Sequence, residues 1–199
     1  MLFRDITHDT KAVYTINTDE QVVFFMLNRS GQIAFELTGN RAAAYVFAFF
    51  IGKNHDTVSL NIIQNHRAPN TTSRVLVKSV LHDDAQFSYH GTLHITKAAH
   101  LSDASQENRN LLLSSRTKAF SEPTLEILTS DVRCRHAAST NPLNRETLYA
   151  LEARGLSPLE AQNLLISGFL RSSIETLNTL VAREDQEKVI SLIKNIISA

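Results

Sequence analysis

The chain has 199 residues, 43% of them hydrophobic, and its 20 Lys plus Arg balance its 20 Asp plus Glu, so the formal net charge is zero. This is a globular composition that can bury a sizeable core, and it lacks the basic excess typical of nucleic-acid binding. The single cysteine, Cys134, excludes an internal disulfide and indicates a reducing compartment, for which we expect the cytoplasm.

The N-terminal residues carry no basic region followed by an apolar stretch, so we expect no signal peptide. The most apolar run, residues 42–51, is shorter than the roughly 20 residues that a membrane-spanning helix needs. This run is therefore interpreted as buried core.

Residues 12–140 carry short segments in which apolar and polar side chains alternate, the pattern of β-strands. Turn-forming residues separate these segments, and little helix is predicted between them, so the pattern indicates an all-β core. A sandwich, a barrel and a β-helix all remain open on this pattern. Asn65, Asn70, Asn108 and Asn110, placed where a solenoid would turn, favour the β-helix weakly. The strand candidates are residues 22–28, 33–37, 58–62, 74–81, 87–95 and 125–128.

The period becomes helical near Asn141. One helix is predicted over residues 146–154 and ends before Gly155, and a capping box formed by Ser157 and Glu160 opens the next. We therefore divide the chain into a β core, residues 1–140, and a helical segment, residues 141–199. The apolar positions expected on buried helix faces are Ala161, Leu164, Leu165, Gly168 and Phe169, then Val189, Leu192, Ile193, Ile196 and Ile197.

Six ordered motifs between residues 64 and 169 resemble the SufB/SufD family of iron–sulfur cluster assembly proteins. The motifs are more similar to the SufD branch than to the SufB branch. The third, DASQENRNLLLS, is close to the family pattern Asp-Ala-x-Gln-x-Asn-x-Asn-Leu-Leu-Leu-Ser, and the fifth, DVRCRHAA, is similar to Asp-Val-x-Cys-Ser-His-Gly-Ala. The motifs lie at residues 64–73, 87–91, 103–114, 123–127, 131–138 and 148–156.

The resemblance implies a right-handed parallel β-helix followed by C-terminal helices, in a non-catalytic scaffold subunit of a SUF-type complex. It implies pairing through the β-helix with a SufB-like subunit or with a second copy, and binding of a SufC-like ABC ATPase to the helices. A transient iron–sulfur cluster at the subunit interface is expected, and no stably bound cofactor. The positions implied for ATPase binding are Leu148, Tyr149, Arg154, Gly155 and Phe169.

Cys134 and His136 are the candidate site residues. Residues i and i+2 of a strand point to the same face about 7 Å apart, so a thiolate and an imidazole could bind one metal there. The resemblance places His136 at the cluster-assembly interface. Two residues depart from the family pattern at this strand, Arg135 in place of a serine and Ala137 in place of a glycine.

Other polar residues are interpreted structurally. His90 and His94 share one face of a strand, which predicts a solvated outer face rather than a metal pair. His66 is expected in a turn. Asp103, Gln106, Asn108 and Asn110 are expected to stack at a corner of the fold.

No phosphate-binding Gly-x-x-x-x-Gly-Lys-[Ser/Thr] loop and no Gly-x-Ser-x-Gly motif occurs, so we do not expect the chain itself to be an ATPase or a serine hydrolase. The alternatives are a β-helix enzyme acting on carbohydrate, an acyltransferase that uses a lone histidine as base, or a purely structural interaction module. An open end of a β-helix exposes backbone edges, so we expect an oligomer that covers it.

Overall fold

A computed structural model of the protein describes residues 1–198, with side chains described through Lys194. Within this range eleven β-strands precede three α-helices, and the change from strand to helix falls between Pro142 and Arg145. The strands are β1 (Leu2–Asp5), β2 (Val13–Ile16), β3 (Gln21–Leu27), β4 (Gly31–Leu37), β5 (Ala43–Gly52), β6 (Thr57–His66), β7 (Thr72–Leu81), β8 (Gln86–Ile95), β9 (Ser102–Leu112), β10 (Lys118–Ile127) and β11 (Val132–Pro142). The helices are α1 (Arg145–Glu152), α2 (Pro158–Asn178) and α3 (Arg183–Ser198).

The strands form two parallel sheets. The odd-numbered strands make sheet A and the even-numbered strands make sheet B, each in sequence order. Each strand pairs with the strand two places later, so that Phe47, Leu76, Glu107 and Ala137 lie in one row across sheet A. The chain thus contributes one strand to each sheet per turn, which is a parallel β-helix. This confirms the predicted β-helix and excludes the sandwich and the barrel.

One corner of the β-helix is built from stacked residues with left-handed backbone. Asp19, Arg41, Asn70 and Leu101 have φ of 60°, 60°, 56° and 58°. Each donates its backbone N–H to a carbonyl of the following turn, at 2.7 to 3.4 Å. The turn predicted at Asn70 is confirmed. Leu101 is the outlier, since a bulky side chain rarely adopts this conformation.

The interior of the β-helix, which we call the lumen, changes from apolar to polar along its axis. In the first turns Tyr14, Phe24 and Phe35 pack with ring centroids 4.8 to 5.7 Å apart. From β6 onward the lumen also holds buried polar side chains, which are Gln64, His66, Ser73, Ser79, Gln106, Asn108 and Asn110.

The corner positions predicted for several polar residues were wrong. Asn65 lies within β6, and Asp103, Gln106, Asn108 and Asn110 all lie within β9. In β9 the uncharged members face the lumen. There Asn110 Nδ2 donates to Asn108 Oδ1 at 2.9 Å, and Ser79 Oγ donates to Asn110 Oδ1 at 2.7 Å. Asn110 thus finds its partners inside the β-helix instead of at turn backbone, whereas Asn108 Nδ2 and Gln106 Oε1 have no partner among the described residues.

Helices α2 and α3 pack on the outer face of sheet A. The apolar cluster between them includes Val23, Phe25, Phe47, Phe49, Ile166, Leu170, Leu177, Val189 and Ile193. Lys78, only 2% exposed, lies beneath α2, where its Nζ donates to the carbonyl of Phe169 and to Ser172 Oγ at 3.0 Å. No helix within the described residues is long and apolar enough to cross a membrane.

The buried face of α2 differs in part from the predicted one. Ala161 is buried as expected, but Leu164 is 51% exposed and Gly168 is exposed. Because α2 continues to Asn178, its buried face is set by Ile166, Leu170, Ser173 and Leu177. The capping box of Ser157 and Glu160 is confirmed. In α3, Val189 and Ile193 are buried as predicted, and the side chains of Ile196 and Ile197 lie outside those described.

Candidate functional site at the open end of the β-helix

The last turn of the β-helix, formed by β10 and β11, lacks a covering layer among the described residues. Each of these strands is the final one in its sheet, so one edge of its backbone is unpaired. The inward-facing Leu125 and Ile127 of β10 are 37% and 38% exposed, whereas Leu93 and Ile95, their partners one turn earlier, are fully buried. This end is therefore an exposed and partly apolar surface.

Cys134 and His136 both face the lumen at this open end. In the register of sheet A they pair with Ala104 and Gln106, which are buried in the preceding turn. Cys134 is half-buried against the apolar cluster of Leu93 and Ile95, and His136 is exposed. Both line an open cavity of about 690 Å³ that also contains Leu125 and Gln106. The structure thus brings the two sequence-predicted residues to one cavity.

Two described residues that face this cavity from the lumen, Cys134 and His136, could bind a metal. Burial, and secondly the charge of Asp103, raises the pKa of the Cys134 thiol, so metal binding would have to release its proton. No group of three or more His, Cys, Asp and Glu residues that could hold a metal occurs in the part of the chain described. A metal bound at Cys134 and His136 would therefore need further ligands from another molecule.

The two departures from the family pattern fall on the other face of β11. Arg135 and Ala137 alternate with Cys134 and His136, so they lie on the outer face of sheet A. Arg135 pairs in register with Ser105, and Arg133 pairs with Asp103. The bulk and charge of Arg135 therefore border the open end without filling its lumen.

His66 is not the turn residue that the sequence indicated. It ends β6 fully buried, with Nδ1 2.7 Å from Thr71 Oγ1 and Nε2 2.7 Å from Ser73 Oγ. The Thr71 hydroxyl donates to the Ala68 carbonyl at 3.1 Å, so it accepts from Nδ1–H, and Nε2 accepts from Ser73. Burial lowers the pKa of His66 to about 4, so the imidazole is neutral. This Ser–His pair is sealed inside the fold and cannot meet a substrate.

His90 and His94 lie on the outer face of sheet B, as predicted. His90 Nδ1 is 3.1 Å from Glu122 Oε2, and His94 Nε2 is 4.0 Å from Glu126 Oε2. Each pair joins neighbouring strands β8 and β10 and is partly exposed. These are surface contacts between imidazole and carboxylate groups on neighbouring strands of a sheet.

The lumenal face of β9 is the feature that sequence reasoning missed. Ser102, Ala104, Gln106, Asn108 and Asn110, all uncharged, point inward, and the charged residues Asp103, Glu107 and Arg109 point outward together with Ser105. That alternation of charged with uncharged residues was the available signal of a strand.

Three of the residues implied for ATPase binding lie on α1 and α2, and the other two, Arg154 and Gly155, lie in the turn between these helices. Tyr149 is 62% exposed and Leu148 is partly buried on α1. Arg154 is exposed and donates to the Ala150 carbonyl at 2.7 Å, and Gly155, with φ +97°, ends this region. Phe169 differs from the other four, because it packs against sheet A and its ring lies 4.7 Å from Lys78 Nζ.

Comparison with known proteins places most of the chain in one family. Residues 19–169 match the family described as SUF system FeS cluster assembly, SufBD core domain. An iron–sulfur cluster assembly SufBD family protein of Synechocystis is 33% identical over 60% of this chain and 25% of its own length. The chloroplastic protein ABCI7 of Arabidopsis thaliana is 33% identical over 64% of this chain and 27% of its own. Escherichia coli SufD is 24% identical over 71% and 34%. The chain therefore spans about a quarter to a third of the length of these relatives.

Proposed function

This chain belongs to the SufBD core-domain family of the SUF system, and we propose from that premise that it is a non-catalytic scaffold subunit in iron–sulfur cluster assembly. The observation that carries the proposal is the pairing of an uncapped β-helix end with two inward-facing metal ligands, Cys134 and His136. A second subunit seated on this end would cover the unpaired backbone of β10 and β11 and add the missing ligands. A nascent cluster would then be held only transiently, between two chains.

The subunit at the open end is a SufB-like chain or a second copy, and charge favours the former. Arg133 and Arg135 project from the exposed face of β11, and neither forms a salt bridge among the described residues, because Asp103, the register neighbour of Arg133, pairs with Arg74 instead. A two-fold pair of identical chains would bring the same arginines to both sides of the interface. A partner with an acidic facing edge fits this surface better.

The helical segment is the proposed docking site for a SufC-like ABC ATPase. Tyr149 on α1 and Leu159 on α2 are 62% and 67% exposed. Large apolar side chains that are this exposed can mark a surface that binds another protein. Leu148, Arg154 and Gly155 lie at the same corner, and Phe169 acts indirectly by fixing α2 on sheet A. We propose a cytoplasmic location for the complex, in keeping with the free thiol.

Co-purification and reconstitution test this function. The tagged chain, expressed with its SUF partners, is expected to retain a SufC-like ATPase, and supplying the complex with ferrous iron and sulfide is expected to produce iron–sulfur absorption. His136→Ala should abolish this absorption and Cys134→Ala should reduce it. His94→Ala, which removes an imidazole from the outer face of sheet B, is the matched control and should leave it unchanged.

The outcomes separate the proposal from its alternatives. A complex that retains the ATPase but gains no absorption would identify a purely structural module. Equal absorption in wild type and His136→Ala would refute the site. Failure to retain any ATPase would refute the scaffold role.

A further inference from the structure

Gln106 lines the open-end cavity and carries a buried polar atom that has no hydrogen-bond partner among the described residues. Its side chain is 98% buried, since only 2% is exposed, yet it lines the same cavity as Cys134 and His136. Its Oε1 has no hydrogen-bond partner among the described residues. A buried carbonyl left without a donor is unfavourable, because it has lost its hydrogen bonds to water and gained none in the protein. The position of this oxygen therefore calls for an explanation.

The amide of Gln106 is fixed by a chain of buried contacts that runs along the lumen. Gln106 Nε2 donates to Gln64 Oε1 at 3.2 Å, and Gln64 Nε2 donates to Ser73 Oγ at 2.6 Å. Ser73 in turn contacts His66 Nε2 at 2.7 Å. Across the lumen the amide lies against Gly91, where any Cβ would come within 3.0 Å of three of its atoms. Because Gln106 Nε2 donates to Gln64, Oε1 is the atom of the amide that lacks a partner among the described residues.

The side chain in the next turn beneath Gln106 is that of His136. The two residues are direct partners in the register of β9 and β11, and both face the lumen. A neutral imidazole has one N–H donor and one acceptor nitrogen, and a fixed acceptor beside it selects which nitrogen carries the proton. Histidines that bind metals commonly donate their second N–H to such a carbonyl.

We propose that Gln106 is a positioning residue for His136, an inference that rests on the proposed function of this histidine. Rotation of the exposed His136 imidazole would let Gln106 Oε1 accept a hydrogen bond from its N–H, a bond that is not formed in the structure as described. The other nitrogen is thereby left unprotonated and directed toward the cavity, ready to bind iron or a nascent cluster. Gln64, Ser73 and His66 hold the amide in place, and Gly91 provides the space for it.

The tautomer of His136, measured by imidazole 15N shifts at pH 8, tests this inference on the free full-length chain. The His136 signals are identified by their loss in His136→Asn. In wild type one tautomer is expected to dominate, and Gln106→Met, which keeps the length and removes the acceptor, is expected to change the tautomer ratio roughly five- to tenfold, the effect of one net hydrogen bond. Gln106→Glu, which retains an acceptor, should preserve the wild-type ratio.

The lumen offers a matched control for the loss of a buried amide. Asn108 is 1% exposed and pairs in register with Ala138, so Asn108→Leu removes an amide that has no imidazole beneath it. This variant should leave the His136 tautomer ratio unchanged. An equal change in Asn108→Leu would indicate a general structural effect and overturn the inference.

Two further outcomes test the positioning role of Gln106 and separate it from the proposed function. A wild-type ratio equal to that of the exposed His8 would overturn the inference without any variant, which covers the case in which Gln106→Met does not fold. The measurement needs no partner, iron or sulfide. A Gln106-dependent tautomer together with no His136-dependent cluster formation would therefore support the positioning role and refute the proposed function.

Discussion

Replacing Gly91 by alanine should destabilise the protein through one identifiable contact. The added Cβ would lie within 3.0 Å of Nε2, Cδ and Oε1 of Gln106, so no rotation of the amide about its own axis removes the overlap. The Gln106 side chain must move away and lose its 3.2 Å hydrogen bond to Gln64. Overpacking of a buried site and an unsatisfied buried amide are each unfavourable by about 1 to 3 kcal/mol. We therefore expect a loss of about 2 kcal/mol in unfolding free energy.

Urea unfolding followed by circular dichroism measures this change. Gly168→Ala is the matched control, because Gly168 lies in α2 with open space around its Cβ position, and it should stabilise by about 0.5 to 1 kcal/mol. Repeating Gly91→Ala in a Gln106→Ala background should recover at least half of the loss, since the overlapping atoms are then absent. An equal loss in both backgrounds would show that Gln106 is not the cause.

Three further changes test other parts of the fold. Burial lowers the pKa of Lys78 from 10.5 to about 8. Between these pH values the unfolded chain binds more protons than the folded chain. The free energy of unfolding should therefore rise with pH across this window, by up to about 3 kcal/mol. Urea unfolding from pH 7 to 10.5 should show this rise in wild type relative to Lys78→Met, and parallel curves would contradict it. Leu101→Gly should stabilise by about 1 kcal/mol, since it relieves a left-handed backbone at an exposed side chain, and an unchanged or lower melting temperature would count against this. Ser157→Ala should destabilise the protein by about 1 kcal/mol, because α2 loses its N-terminal cap. Thr176→Ala, at a position inside α2 that does not cap the helix, is the comparison in the same thermal melts.

The sequence was sufficient for the strands whose lumenal side chains are apolar. The alternation around Phe87 and Leu93 gave β8 almost residue by residue, because an apolar lumen and a polar exterior produce a period of two. The same reasoning failed for β9, where both faces are polar. Asn108 and Asn110 resemble turn residues, and only the tertiary register makes them interior, since it places Asn110 against Ser79 and Thr140 and Asn108 beside Val77 and Ala138.

The candidate site was predictable to a similar extent. The Cys-x-His spacing of Cys134 and His136 placed both on one face of a strand, but could not indicate whether that face was the lumen or the exterior. His66 was assigned to a turn because it precedes Ala68 and Pro69, although its buried partners Thr71 and Ser73 lie beyond that turn. The proposed role of Gln106 could not be predicted from the sequence, because it depends on His136, which lies 30 residues later and one turn further along the β-helix.

The change from an apolar to a polar lumen also predicts that protection from amide hydrogen exchange decreases along the axis toward the open end. In a solenoid each turn is stabilised mainly by its neighbours, so local opening can begin at one end without unfolding the whole. The strands β3, β4 and β5, which are paired on both edges around an apolar lumen, should exchange slowest, and β10 and β11, with fewer apolar contacts and one unpaired edge, should fray early. Docking a partner strand on that edge would then slow exchange there selectively. The open end is thus a segment whose final ordering is completed by assembly.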